Sequence, residues 1–231
     1  ARANPNTIVV MNSSSPHDMP WRNRVKAILY MWFAGQEGGW ATADVLLGKA
    51  NPGGRLPMTF PARPSDVAAL DPKHPERYEG VDKRVVYSEG IFHGYRHFDE
   101  HRIAPLYPFG YGRSYTTFAY SNLNVRERGE AFEVSFELRN TGARRGAEVP
   151  QLYVARPAKP SVPMAPQTLA SFDRVELDPG ESRTVTLRIE PRQLSYWDAA
   201  ADRWTKAQGR RAVLVGASSR EIKLRGHIEV N

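Results

Sequence analysis

An α/β unit followed by an antiparallel β-sandwich is the fold class predicted by this 231-residue sequence, and three observations predict it. Near the N-terminus a continuous apolar run, Ile8, Val9, Val10 and Met11, ends in polar Asn12 and Ser13, the pattern of a parallel strand buried on both faces. Beyond about residue 116 apolar side chains instead recur at every second position, giving each strand one dry and one wet face. Clusters of turn-forming residues punctuate those strands.

Residues 1–61 read as alternating strand and helix, the later part of an α/β domain. After the strand at 8–11, residues 25–33 are mostly apolar apart from Lys26 and run to Gly35. A strand or a short buried helix fits them; the length and the glycine favour a strand. Residues 37–47 place Ala41, Val45 and Leu46 at helical spacing before Gly48 and the stop Asn51, Pro52, Gly53, Gly54, which predicts a helix closed by turn chemistry. Residues 55–60 predict another short strand. So few β/α units leave an exposed edge and an uncovered face, so the rest of the sheet is expected to precede Ala1. The opening Ala1-Arg2-Ala3-Asn4 shows neither a start Met nor a signal peptide and reads as the beginning of a fragment or a processed subunit.

Residues 62–115 are rich in prolines, including Pro64, Pro72, Pro75, Pro105 and Pro108, and in scattered aromatics. Such a stretch is too apolar for a free linker and predicts an ordered connection that wraps over a neighbouring domain. Within 116–231, Phe132, Val134, Phe136 and Leu138 alternate with polar neighbours, as do Val185, Leu187 and Ile189, and Ile222, Leu224, Ile228 and Val230. Turns at Asn140-Thr141-Gly142, Asp178-Pro179-Gly180 and Gly216-Ala217-Ser218-Ser219 divide the region into about seven strands, the pattern of an antiparallel β-sandwich.

Composition narrows the function. Hydrophobic residues at 41% and charged residues at 25% argue against disorder and against a membrane protein, and no run approaches the roughly 20 apolar residues of a spanning helix. The net charge of +7 invites a nucleic-acid reading, but the basic excess is thinly spread. Arg144-Arg145, Arg210-Arg211 and Lys83-Arg84 are the only local concentrations, and the first and last have acidic residues within a few positions, so nucleic acid is not an expected partner. With no cysteine there is no disulfide, no thiolate nucleophile and no Cys-based zinc site.

Several stretches, in order, resemble one enzyme family. Asn4-Pro5-Asn6-Thr7-Ile8-Val9-Val10, Met19-Pro20-Trp21, Gly35-Gln36-Glu37-Gly38-Gly39, Ala43-Asp44-Val45-Leu46 and Asn51-Pro52-Gly53-Gly54-Arg55-Leu56-Pro57 are similar to the end of the α/β-sandwich domain of glycoside hydrolase family 3. Tyr87-Ser88-Glu89-Gly90, Gly94-Tyr95-Arg96 and Pro105-Leu106-Tyr107-Pro108-Phe109-Gly110 resemble the segment that links it to the family's fibronectin type III-like β-sandwich. Val149-Pro150-Gln151-Leu152-Tyr153, Leu177-Asp178-Pro179-Gly180-Glu181 and Val215-Gly216-Ala217-Ser218-Ser219 resemble that sandwich. The resemblance covers essentially the whole chain.

It implies a β-glucosidase that works by retention, with a nucleophile and an acid/base carboxylate about 5 Å apart and no metal or organic cofactor. In the family the nucleophilic Asp lies in an N-terminal TIM-like barrel. The acid/base Glu usually lies shortly before the Asn-Pro-Asn-Thr strand. Both are expected outside these residues, so no catalytic residue is assigned here. The implied partners are the barrel-containing part of the same enzyme and a β-glucoside or oligosaccharide, with glucose and xylose both open as the sugar and a periplasmic or secreted location. A non-catalytic carbohydrate-binding or adhesion module is the rival reading, and the half sheet before residue 61, which such a module does not need, weighs against it.

The candidate substrate-proximal residues are Trp32, Gln36 and Glu37, in a loop that follows a predicted parallel strand, where α/β sheets gather ligands. An aromatic ring stacks on a sugar while an amide and a carboxylate bond its hydroxyls. The plainer reading gives the glycines a tight turn and Glu37 a helix cap. His93, His97 and His101 are spaced by four, as zinc ligands on a helix are, but Gly94 and the aromatic surroundings predict extended structure. Tyr87, Glu89, Tyr95 and Arg96 either reach toward a cleft or, as is commoner, pin a long connection. Trp197 and Trp204 predict a hairpin packed in core and edge rather than a sugar platform. Ser13, Ser14 and Ser15 lie too close to His17 in sequence to indicate a triad.

Overall fold

Strands β1 (Ile8–Met11) and β2 (Ala27–Tyr30) form a parallel pair in register from Ile8 opposite Ala27 to Met11 opposite Tyr30, in a computed structural model that describes residues 1–231. Helix α1 (Gly38–Leu46) follows. None of these three elements contributes a fully buried residue, and Ile8, Val10, Trp40 and Leu46 are exposed. The apolar run at 8–11 therefore does not become a strand buried on both faces within this chain: β1 has one strand neighbour and alternates between exposed and half-buried positions.

The strand predicted at 55–60 does not form. Residues 55–60 run beside residues 106–111 with bends at Pro57 and Met58, and Leu56 N–H donates to Tyr111 O (2.8 Å), Gly110 N–H to Leu56 O (2.8 Å) and Phe60 N–H to Tyr107 O (2.9 Å). Only the Phe60–Tyr107 bridge is regular. Pro57 and Pro108 each remove a ladder donor, which prevents continuous pairing.

Between residues 61 and 115 the chain makes two 3₁₀ turns, Pro64–Asp66 and Ala68–Leu70, and a short helix α2 (Tyr95–Glu100). That helix corrects the extended reading of residues 93–101. Gly94 turns the chain at φ 53°, a value glycine adopts readily, and burial of His97 and Phe98 then holds one helical turn and a half. Helix α2 is fastened to the sandwich: Tyr95 Oη accepts Leu169 N–H (2.9 Å), Asp99 pairs with Arg220 (2.8 Å) and Gln167 (3.0 Å), and Glu100 pairs with Arg156 (2.8 Å).

The sandwich is antiparallel throughout. Its strands are β3 (Phe118–Arg128), β4 (Ala131–Asn140), β5 (Gly146–Glu148), β6 (Gln151–Ala155), β7 (Gln167–Phe172), β8 (Val175–Leu177), β9 (Ser182–Ile189), β10 (Ser195–Asp198), β11 (Arg203–Lys206), β12 (Gly209–Gly216) and β13 (Ile222–Val230). One sheet runs β3-β4-β9 and the other β13-β12-β6-β7, with β5-β8 and β10-β11 as short ribbons. The alternation read from sequence fills the core between the sheets. Val134, Phe136 and Leu138 from one sheet meet Leu152, Val154, Val213 and Val215 from the other, all essentially inaccessible to water.

Candidate functional site

Because β1 and β2 are parallel and in register, the loops that leave their carboxyl ends, residues 12–17 and 31–39, emerge on the same side of the pair. Tyr30 ties them together: its hydroxyl donates to the carbonyl of Ser15, and its ring packs against Trp32 at 4.7 Å between centroids. In the first loop Ser13 Oγ bonds His17 Nε2. No carboxylate of the chain bonds His17, so the pair is not a triad.

Trp32 has φ 53°, a left-handed conformation that costs a bulky side chain on the order of 1–2 kcal/mol. Aromatic packing maintains it. Phe60, essentially inaccessible, receives Tyr30 (5.2 Å) and Trp32 (6.1 Å) edge-on, and Tyr107 (6.2 Å) continues the chain of rings to Tyr111, on which it stacks at 5.2 Å. Burial, foremost, and the neighbouring Tyr111 push the Tyr107 hydroxyl pKa up, so it stays a neutral phenol.

After Trp32 the loop turns at Gly35 (φ 70°), and Gly38 N–H closes on Gly35 O at 3.2 Å. A Cβ on Gly38 would lie 2.8 Å from that of Ala34, which makes this a glycine site by close approach. Gln36 and Glu37 are exposed at the turn, and neither side chain bonds another group of the chain. Glu37 occupies the position before the helix, yet its side chain makes no capping bond; only its carbonyl accepts, from Ala41 N–H at 3.0 Å. The capping role read from sequence is therefore filled by the backbone alone.

The structure thus brings Trp32, Gln36 and Glu37 onto one short loop, and adds Ser13, His17 and Tyr30 beside it. Phe33 and Trp40, which are not among the sequence candidates, flank the loop and are 79% and 74% exposed. Two aromatics bracketing Gly35-Gln36-Glu37-Gly38-Gly39 were a signal for an aromatic rim. The arrangement offers ring faces for stacking and an amide and a carboxylate whose hydrogen-bonding capacity is unspent.

The other sequence candidates disperse. His97 on α2 and His101 just past its end have rings 4.4 Å apart, and no group of three or more His, Asp or Glu is placed to hold a metal. Glu89 stands 3.6 Å from Arg77, Tyr95 bonds the sandwich, Arg96 lies 5.9 Å over the Tyr95 ring and Tyr87 is exposed, so these four form no common cluster. Trp197 and Trp204 do face each other across the β10-β11 hairpin, at 5.4 Å. They remain about half exposed, with Arg192 lying over Trp204, which places them on an edge and not in the core.

Comparison with known proteins adds a family context. The glycosyl hydrolase family 3 C-terminal domain matches residues 1–115, and the fibronectin type III-like domain matches residues 148–219. A beta-glucosidase of Rhizobium radiobacter is 42% identical over 227 residues, which cover 96% of this chain and 27% of the relative. Thermostable beta-glucosidase B of Acetivibrio thermocellus is 39% identical, over 100% of this chain and 30% of its own length. Among solved structures, DesR, a beta-glucosidase from Streptomyces venezuelae in complex with D-glucose, superposes with a TM-score of 0.96 at 41% identity, covering 100% of this chain and 29% of that one. Beta-glucosidase 3B from Thermotoga neapolitana gives 0.89 at 43% identity, over 97% of this chain and 31% of its own. The chain spans under a third of the length of these relatives.

Proposed function

The chain belongs to glycoside hydrolase family 3, and from that premise we propose that it forms the C-terminal portion of a retaining exo-β-glycosidase that removes terminal non-reducing β-D-glucosyl residues. The observation that carries the reading is a match along the whole chain, at about 40% identity, to proteins named β-glucosidases. A carbohydrate-binding module is disfavoured because the β1-β2-α1 unit falls within that match. A periplasmic or secreted location is part of the same proposal.

In retaining hydrolysis a carboxylate attacks the anomeric carbon while a carboxylic acid protonates the departing oxygen; water then releases the sugar as the acid, now a base, takes its proton. In this proposal both carboxylates come from the barrel-containing part of the enzyme and its junction with residue 1. The contribution of this chain is a wall of the cleft. Trp32 supplies a ring for the sugar face, Gln36 and Glu37 supply hydroxyl partners, and the sandwich braces the wall.

The experiment is complementation. Residues 1–231 alone should give no hydrolysis of an aryl β-glucoside above background, since the covalent step has no nucleophile. Mixing with the N-terminal part should restore turnover. Robust turnover by the isolated chain overturns the assignment of both carboxylates elsewhere.

A further inference from the structure

Helix α1 begins at the candidate loop and ends on the sandwich. Its nine residues span about 13 Å, so whatever fixes its far end also fixes the loop. The last carbonyls of a helix lack partners within it. Here two side chains from beyond residue 112 reinforce the backbone: Tyr115 Oη donates at 2.8 Å to Val45 O, which also accepts Gly48 N–H at 3.0 Å, and Arg144 Nη1 donates at 3.1 Å to Gly48 O, just past the last helical residue. The guanidinium also lies 5.8 Å over the Tyr115 ring. A cation and a hydroxyl at the negative end of the helix dipole are favourably placed.

A second fastening follows at once. Asn51 Nδ2 donates to Arg145 O at 2.9 Å, while its Oδ1 accepts from Ser114 Oγ at 3.0 Å and from Tyr115 N–H at 2.8 Å. Four residues on, Arg55 pairs with Glu148 at 2.7 Å, with both side chains 8% exposed. A Cβ on Gly146 would run into the Asn51 side-chain amide, and one on Gly112 into the backbone oxygen Gly54 O, so both positions need glycine for close approach. Apart from the Arg144–Tyr115 stacking, each of these contacts joins residues 45–55 to residues 112–148, and none touches loop 32–39.

We propose that Asn51, Tyr115 and Arg144 are positioning residues for the candidate site, which hold loop 32–39 in place by clamping the opposite end of α1. This rests on the cleft-wall reading of that loop. A merely stabilising interface would raise the melting temperature without governing the loop.

The test uses the full-length enzyme with Tyr115→Phe and Arg144→Met, singly and together; each removes one hydrogen bond and keeps most of the apolar packing. Amide exchange in α1 and in residues 33–39 should accelerate, roughly tenfold in the double variant, while β4 and β12 exchange as before. KM for an aryl β-glucoside should rise with kcat changing less, and Arg144→Lys should recover most of the loss. Unchanged exchange at 33–39 in the folded double variant overturns the clamp and leaves the cleft-wall reading standing. Faster exchange at 33–39 with unchanged KM overturns the positioning role from the other side, because the loop then moves without substrate sensing it.

Discussion

Trp32 concentrates the tension between backbone and side chain in this chain. A tryptophan at φ 53° is unfavourable by itself, and it persists because Tyr30 and Phe60 hold its ring. Such strain is commonly kept where a side chain has a task. In the reassembled enzyme Trp32→Ala should therefore lower kcat/KM more than Trp204→Ala, by about tenfold for each 1.4 kcal/mol by which transition-state binding weakens. Steady-state kinetics with an aryl β-glucoside measure this, with circular dichroism to establish that both variants fold. A larger effect in Trp204→Ala would move the functional face to the β10-β11 hairpin. The residue types at the loop were legible in the sequence, whereas the left-handed turn was not, since no local rule places a tryptophan there.

At the scale of elements, α2 shows how burial overrides local pattern. Gly94 and the surrounding aromatics point to extended chain, but His97 and Phe98 find a buried site only when the segment turns into a helix. His97 then sits among groups that oppose its charge. Burial, first, and then the His101 ring lower its pKa below 6.5, with a lesser push from the Arg77 guanidinium, against upward pulls from the Asp66 backbone and Asp71. Since the unfolded chain takes up this proton more readily, the stability tied to neutral His97 is present above pH 6.5 and is lost as pH falls from there toward the lowered value. Asp99, on the same helix but raised by burial, has the opposite sign and a window above 3.8. Between pH 7 and 6 the His97 effect should prevail: thermal melts should shift downward, and amide exchange at 95–101 should quicken. His97→Gln should flatten both. A pH-independent melt in that interval removes His97 as the cause.

For the whole molecule, the two halves differ in how much of their apolar surface they cover. The sandwich encloses a core drawn from both sheets, from Phe132 to Val230, whereas β1, β2, α1 and the loop between β2 and α1 contain no buried residue and leave Ile8, Val10, Phe33 and Trp40 exposed. Residues 116–231 expressed alone should fold cooperatively and resist protease, and residues 1–61 alone should aggregate through their open strand edge and exposed side chains. Limited proteolysis and light scattering check both. A soluble, protease-resistant 1–61 fragment contradicts this account. The same contrast explains why the clamp at Asn51, Tyr115 and Arg144 matters: the half with little core of its own is fixed by hydrogen bonds and a buried ion pair to the half that has one.

The sequence by itself determined the change of period near residue 116, the inward positions of β4, β9 and β13, the helix at 38–46 and the ordered run of motifs that carries the family resemblance. Each depends on local spacing of apolar residues or on turn chemistry, both of which act over a few positions. Tertiary structure alone decided that residues 55–60 pair with 106–111 without forming a strand, that 95–100 is helical, that Trp32 is left-handed, and that Tyr115 and Arg144 cap a helix some seventy and ninety-six positions away in the chain. Those outcomes turn on which distant groups can be buried or hydrogen-bonded together, and pairings between residues so far apart leave no periodic trace in a single sequence.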